Sequence, residues 1–291
     1  MRATPAHALL FAVVLSTVSV MTQLAFAAGS NALTVVLVRN GFGTLAIALF
    51  LLATRAPLGL QPRERRIALA IGLILGFNNI TLNLAIERVP VPVAILVFYT
   101  YPVWMALWSW MRGHERFTPT GAVGVLLAFA GLTLTLGVAP VMPDPVGVAL
   151  ALFSALAWVA VLQLSTHYLA AAPSHARSLH MFMSATVVIT LSLFAFGTPT
   201  MPSGALGLTA LSLVPLAYGA GMLGMLWVTA GLGPMRTSFY MNFEPIVSIA
   251  LSALVLGQTL TALQLVGAAL VVVSLVIFRP PPKAPAQPAA T

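Results

Sequence analysis

Ten apolar stretches separated by short polar gaps dominate this chain. Each is about 17 to 25 residues long, enough to cross a hydrocarbon core of roughly 30 Å as a helix. They lie near 8–27, 31–53, 65–86, 90–111, 118–138, 145–165, 176–196, 204–228, 234–256 and 261–278. Only 6% of the residues are charged and 60% are hydrophobic, against about 25% charged in a soluble domain. So little polar surface does not cover an aqueous core, whereas a helix in lipid satisfies its own backbone hydrogen bonds. The expected fold is therefore an all-α integral membrane protein.

Arg2, the apolar run from Ala8 and the small triplet Ala25-Phe26-Ala27 together resemble a cleaved signal peptide. That run is long enough to span, and Ser16, Ser19 and Gln23 give it a polar face that a signal peptide does not need. Residues 1–7 are expected as a short N-terminal extension before a retained helix. The Pro- and Ala-rich stretch 279–291 is expected as a disordered tail.

Thirteen basic residues against five acidic ones give a formal +8. On a soluble domain such a balance would suggest nucleic acid. Here the basic residues sit in the gaps, so no nucleic-acid partner is expected. With a cytoplasmic N-terminus the inner segments hold Arg2, Arg55, Arg63, Arg65, Arg66, Arg112, Arg116, Arg177, Arg236, Arg279 and Lys283, 11 of the 13. Arg88 alone falls in an outer loop and Arg39 lies inside a span. This bias predicts a multi-pass protein of the cell's inner (plasma) membrane with both termini cytoplasmic. The expected partners are a small-molecule substrate and the lipid bilayer, and a monomer is compatible with the sequence.

No enzyme chemistry is expected. Without cysteine there is no thiol nucleophile, disulfide or cysteine-ligated metal. His167, His175 and His180 lack acidic partners, so no metal is expected. The letters of Gly219-Ala-Gly-Met-Leu-Gly224 fit a dinucleotide fingerprint, but the run lies in an apolar span with no strand before it, so no cofactor is expected.

Laying Pro102 over Pro245, a shift of 143 residues, brings Glu115 onto Gln258, Thr118 onto Thr261 and Gly124 onto Gly267 without a gap. Five spans per half is an odd number, which places the halves in opposite orientations as two inverted five-helix repeats. The expected halves are 8–138 and 145–278. The run Pro102 to Gly131 and its echo Glu244 to Ser274 resemble the duplicated module of EamA-type members of the drug/metabolite transporter superfamily. Two departures are Gln258, where the second module usually has Glu, and Ser274 opposite Gly131. The resemblance implies ten transmembrane helices, inverted repeats, cytoplasmic termini and a central substrate cavity.

Candidate site residues follow from the cost of burying polarity. Glu244 is an acid inside an apolar span, about 15 Å along the helix from Pro234, where insertion costs about 2.5 to 3.5 kcal/mol. It shares a helical face with Thr237, Tyr240, Ser248 and Ser252. Arg39, about 12 Å inside its own span, is a cation at comparable depth. Three arrangements fit: a carboxylate and an ammonium of one substrate meeting Arg39 and Glu244, a permanent ion pair between them, or a helix-packing arginine. Pro102 and Pro245 remove helix hydrogen bonds, freeing the carbonyls of Phe98 and Met241, and read as hinges or packing kinks. Tyr101, Trp104 and Trp108 form an aromatic stripe with Phe98. Asn79, Asn83, Tyr218 and Gln23 read equally as cavity lining or as interhelical contacts, and His180 is marginal. Gly72 and Gly76 are spaced for close helix packing.

The function expected from these features is secondary transport by alternating access. The resemblance makes export of amino acids the leading cargo, and the stripe favours aromatic or large apolar side chains, as in YddG-like exporters. Multidrug, nucleotide-sugar and lipid carriers are the alternatives within transport. A membrane-embedded enzyme or a scaffold is the alternative outside it.

Overall fold

The computed structural model describes residues 3–89, 91–111, 119–135, 144–257 and 261–277. The expected tail, the motif residues Glu115, Thr118 and Gln258, and the basic residues of 112–118 lie outside them. Twelve helices form among the described residues. The first half carries α1 (Pro5–Ala27), α2 (Ala32–Ala53), α3 (Pro62–Arg88), α4 (Val91–Phe98), α5 (Tyr101–Met111) and α6 (Pro119–Thr135). The second carries α7 (Pro145–Tyr168), α8 (Ser174–Phe196), α9 (Gly204–Leu232), α10 (Pro234–Met241), α11 (Phe243–Leu256) and α12 (Ala262–Ile277).

Local chemistry sets the ends. Asn31 caps α2 by accepting from the Thr34 N–H at 2.9 Å, and Asp144 caps α7 by accepting from the Val146 N–H at 3.0 Å. Proline opens α1, α3, α7 and α10, where its missing N–H costs nothing. Six segments are long and apolar enough to cross a membrane: Pro5–Ala27, Ala32–Ala53, Pro62–Ile86, Pro145–Tyr168, Gly204–Leu232 and Pro234–Val255. Shorter apolar helices run over Val93–Trp108, Pro119–Leu134 and Ala262–Ser274. The chain is an all-helical, multi-pass membrane protein.

Two stretches expected as single helices are each two. The first breaks at Tyr99–Thr100 between α4 and α5, and the second at Asn242 between α10 and α11. The physical cause is the proline just beyond each break. A helix interior loses a hydrogen bond and gains a clash at proline, but the first turn of a new helix tolerates it. Pro102 and Pro245 both occupy such first turns. At the first break the chain tightens, with the Tyr99 N–H donating to the Ile95 carbonyl and the Thr100 N–H to the Val97 carbonyl.

Packing repeats between the halves. Helix α1 packs on α9 as α7 packs on α3, α2 on α9 as α8 on α3, α1 on α11 as α7 on α5, and α1 on α10 as α7 on α4. The pairs α2–α8 and α6–α12 map onto themselves when the halves are exchanged. A twofold relation between the halves produces this pattern, with its axis passing through the self-paired crossings. At the α2–α8 crossing the Thr44 and Thr186 hydroxyls are 2.9 Å apart and 142 residues apart in sequence, close to the repeat shift. Small residues permit the tightest crossings: a Cβ on Gly72 would lie 2.3 Å from the Met181 carbonyl oxygen of α8.

Candidate functional site

The two helix breaks meet. Helix α5 packs on α10, and the Tyr101 hydroxyl donates to the Ser238 carbonyl at 3.3 Å. Tyr99 and Asn242 line one small cavity with residues of α6. Tyr101 is 2% exposed. Its ring centroid lies 5.5 Å from that of Phe98 and 5.9 Å from that of Tyr99, an aromatic cluster at the α4–α5 turn.

The second break also explains how Glu244 is accommodated. The depth expected along one straight helix does not apply, because the helix ends at Met241 and restarts at Phe243. Glu244 therefore lies in the first turn of α11, where unsatisfied N–H groups favour an acid. Its backbone carbonyl accepts from the Ser16 hydroxyl at 2.8 Å. Gln23 of α1 also reaches α11, its amide donating to the Ser252 hydroxyl at 3.2 Å.

Arg39 is held from both halves. Its NH2 donates to Asn79 Oδ1 at 2.5 Å, and its guanidinium lies 4.5 Å from the centroid of the Tyr218 ring. Asn79 is fixed in turn by donating to the Leu75 carbonyl at 2.8 Å. Tyr218 is 7% exposed and meets Phe182 edge-on at 5.8 Å. The Arg39 Nε is buried and has no hydrogen-bond partner.

The permanent Arg39–Glu244 ion pair is not formed. The two groups are close enough to interact electrostatically, yet among the described residues the ion pair within 4 Å is Arg88–Asp144, at 3.7 Å. Arg39 has instead taken neutral partners, an amide and a ring face. The same neighbourhood thus holds Arg39, Asn79, Tyr218 and Glu244, with Tyr101 also within range of the Glu244 charge.

Other expected residues lie at its edges. Asn83 donates to the Asn79 carbonyl at 2.6 Å, so it stabilises its own helix one turn on. The Trp104 indole donates to Thr100 at 3.1 Å, and Trp104 and Tyr240 pack partly buried against the main core. Trp108 is 42% exposed. His180 contacts the Ala176 carbonyl of its own helix at 2.8 Å. Arg177, counted among the basic residues of the inner segments, is 1% exposed and donates to the carbonyls of Leu169 and Leu226, both at 2.9 Å. It staples the α7–α8 turn to α9, a role that its place near an apolar boundary did not reveal. Gly72 and Gly76 pack on α8, as their spacing suggested. Sequence reasoning missed Tyr99 and Asn242, although the 143-residue shift makes them equivalent positions.

A helical membrane protein of two like halves, with broken helices meeting between them and an arginine and an acid from opposite halves nearby, has the architecture of a transporter. Similarity to known proteins narrows the class. The profile of the EamA-like transporter family matches residues 6–137 and again 145–279, so the chain belongs to that family, a family of transporters rather than enzymes. One crystal structure of a protein matches with a TM-score of 0.78 over 95% of this chain and 98% of that one, at 18% identity. At that identity the likeness concerns the fold alone. No curated protein matches the chain.

Proposed function

We propose that this protein exports zwitterionic metabolites, foremost amino acids with aromatic or large apolar side chains, by alternating access of two inverted five-helix halves. Counting α4 with α5 and α10 with α11 as one broken span each gives ten transmembrane helices, in halves 8–138 and 145–278 flanked by a short N-terminal segment 1–7 and a tail 279–291. The distribution of basic residues supports a plasma (inner) membrane protein with cytoplasmic termini.

One observation carries the substrate reading. Arg39 and Glu244 are neighbours that do not pair, and Arg39 keeps a buried, unpartnered Nε. A buried ionic donor without an acceptor is costly, and a ligand carboxylate would supply one. Glu244 would accept the ligand's ammonium. Phe98, Tyr101, Trp104, Tyr218 and Tyr240 offer aromatic surface for its side chain, with Asn79 and Asn83 as polar lining. Pro102 and Pro245 act as hinges, because the breaks before them let each half-helix move separately.

The test is counterflow in proteoliposomes with labelled amino acids, sugars and cationic drugs. Phenylalanine and methionine are expected to exchange, and sugars are not. Exchange of cationic drugs without amino acids would replace this reading with a multidrug one.

A further inference from the structure

The linker between α2 and α3 gathers four arginines that the fold does not require. Helix α2 closes in a paired turn, the Arg55 N–H donating to the Leu52 carbonyl at 3.1 Å and the Ala56 N–H to the Leu51 carbonyl at 2.9 Å. Such a closure puts one residue in the left-handed region, where glycine is the ordinary choice. Arg55 holds that place at φ 52°, and among the described residues it is the one non-glycine at positive φ. Arg63, Arg65 and Arg66 follow at the opening of α3, where the helix dipole disfavours cations. All four are exposed, and among the described residues none of them is ion-paired. The neighbouring Glu64 instead accepts from the Gln61 N–H at 3.2 Å.

The other half shows the same corner built without charge. Helices α8 and α9 begin 142 residues after α2 and α3, at Ser174 against Ala32 and at Gly204 against Pro62, the spacing of the Thr44–Thr186 crossing. At that shift the four arginines fall on Gly197, Ala205, Gly207 and Leu208, and Gly197 also has a positive φ, 130°. A basic bias that only sets orientation can sit anywhere in a loop. Arg55 instead occupies the position whose backbone favours glycine. The linker is held in place as well, since Ala56, Leu58 and Leu60 pack partly buried on the main core and His175 Nε2 donates to the Pro57 carbonyl at 3.1 Å. It lies between the apolar spans Ala32–Ala53 and Pro62–Ile86, at the level of the lipid headgroups.

We propose that Arg55, Arg63, Arg65 and Arg66 form a docking surface for the headgroups of anionic phospholipids. A lipid phosphate accepts paired N–H donors from a guanidinium, and its charge offsets the cations crowded at the positive end of α3. Arg63 and Arg66 are three residues apart and share a helix face, with Arg65 beside Arg66. Arg55 stands at the other end of the same short linker. The surface lies on the side that the proposed orientation makes cytoplasmic, so its lipids are those of the inner leaflet. Neither the headgroup chemistry nor its test depends on that orientation or on the cargo. The linker joins the helix of Arg39 to the helix of Asn79, whose side chains meet in the site, so a headgroup bound here acts on the joint between them.

The test is native mass spectrometry of the purified full-length protein titrated with short-chain phosphatidylglycerol and, separately, phosphatidylcholine. The unaltered protein should bind phosphatidylglycerol the more tightly. An arginine beside an anionic headgroup contributes about fivefold in affinity. Arg55→Gly, Arg63→Gln and Arg66→Gln should therefore each weaken phosphatidylglycerol binding by about that factor and leave phosphatidylcholine binding unchanged. Arg88→Gln, at the other end of α3, should alter neither. Arg55→Gly should at the same time raise the melting temperature in uncharged detergent, because glycine suits φ 52°, so its weaker lipid binding is not misfolding. Equal affinity for the two lipids would overturn the proposal, as would an equal loss in Arg88→Gln. Unchanged phosphatidylglycerol binding in Arg55→Gly would overturn the role of Arg55 and with it the argument from the backbone. Competition by glycerol phosphate at the affinity of the lipid itself would make this a site for a soluble phosphate and not for the membrane.

Discussion

Replacing Arg39 by Gln isolates the charge on which the proposed substrate class depends. At a separation of about 4 Å and an effective dielectric constant near 20, a guanidinium and a carboxylate attract by about 4 kcal/mol. Desolvation of both ions offsets much of this, and hydrogen bonds to charged groups retain about 1.5–3 kcal/mol. Converted to affinity, that is about 10- to 150-fold. Arg39 reaches Asn79 through NH2 and keeps its Nε free, so a carboxylate can be received without breaking the existing bond. Half-saturation is measured by counterflow for phenylalanine and for phenethylamine, which lacks the carboxylate. The unaltered protein should prefer phenylalanine by that factor, and Arg39→Gln should erase the preference while leaving phenethylamine nearly unchanged. A purely structural arginine would lower both affinities together. If the preference survived in Arg39→Gln, the carboxylate is bound elsewhere and the argument from the free Nε fails.

Gly72→Leu should lower the melting temperature in detergent, because a Cβ there would lie 2.3 Å from the Met181 carbonyl oxygen and the overpacking costs about 1–3 kcal/mol. Unchanged melting would mean that α3 and α8 separate freely. Tyr101→Ala and Trp104→Ala should weaken exchange of Phe-like and Met-like substrates more than that of small polar ones, since only the former lose apolar contact. Equal loss for all substrates would assign these rings to folding. Tags at Met1 and Thr291 should both be protected from reagents outside intact cells, and an accessible terminus would refute the proposed orientation.

The architecture was legible in the sequence because the bilayer imposes one length scale and one backbone solution. Apolar run lengths located the helices, and the alignment of Pro102 with Pro245 exposed the repeat. The breaks were less legible. Proline marks where a helix cannot continue as an interior, but whether it bends or restarts depends on what the freed turn contacts, and that is tertiary information. The same limit explains Arg177. Its position at the first turn of an expected span suits a charge at the inner boundary, and only folding brings the Leu226 carbonyl within reach. Arg39 and Glu244 stood out because isolated charges in apolar runs are costly. Tyr99 and Asn242 carry no such signal, since Tyr and Asn are common at helix breaks and interhelical contacts alike.

The frame is symmetric and the chemistry within it is not. Under the 143-residue shift, Pro245 falls on Pro102, Asn242 on Tyr99 and Glu244 on Tyr101. The duplication thus keeps the prolines that break both helices and differs in the side chains they present. One half supplies a hydroxyl and a ring where the other supplies an amide and a carboxylate. Arg39 and Asn79 belong to the first half, Tyr218 and Glu244 to the second. In the proposed cycle, rocking one half against the other changes the separation of the arginine from its ring and from the acid. A zwitterion bridging the two charges then binds best at one separation of the halves, and the states on either side hold it less tightly. Differential affinity of this kind is what a substrate needs in order to bias a conformational equilibrium. Symmetric side chains at the two breaks would offer a zwitterion equivalent ends in both orientations, so the asymmetry lets a symmetric scaffold hold such a ligand in one polarity.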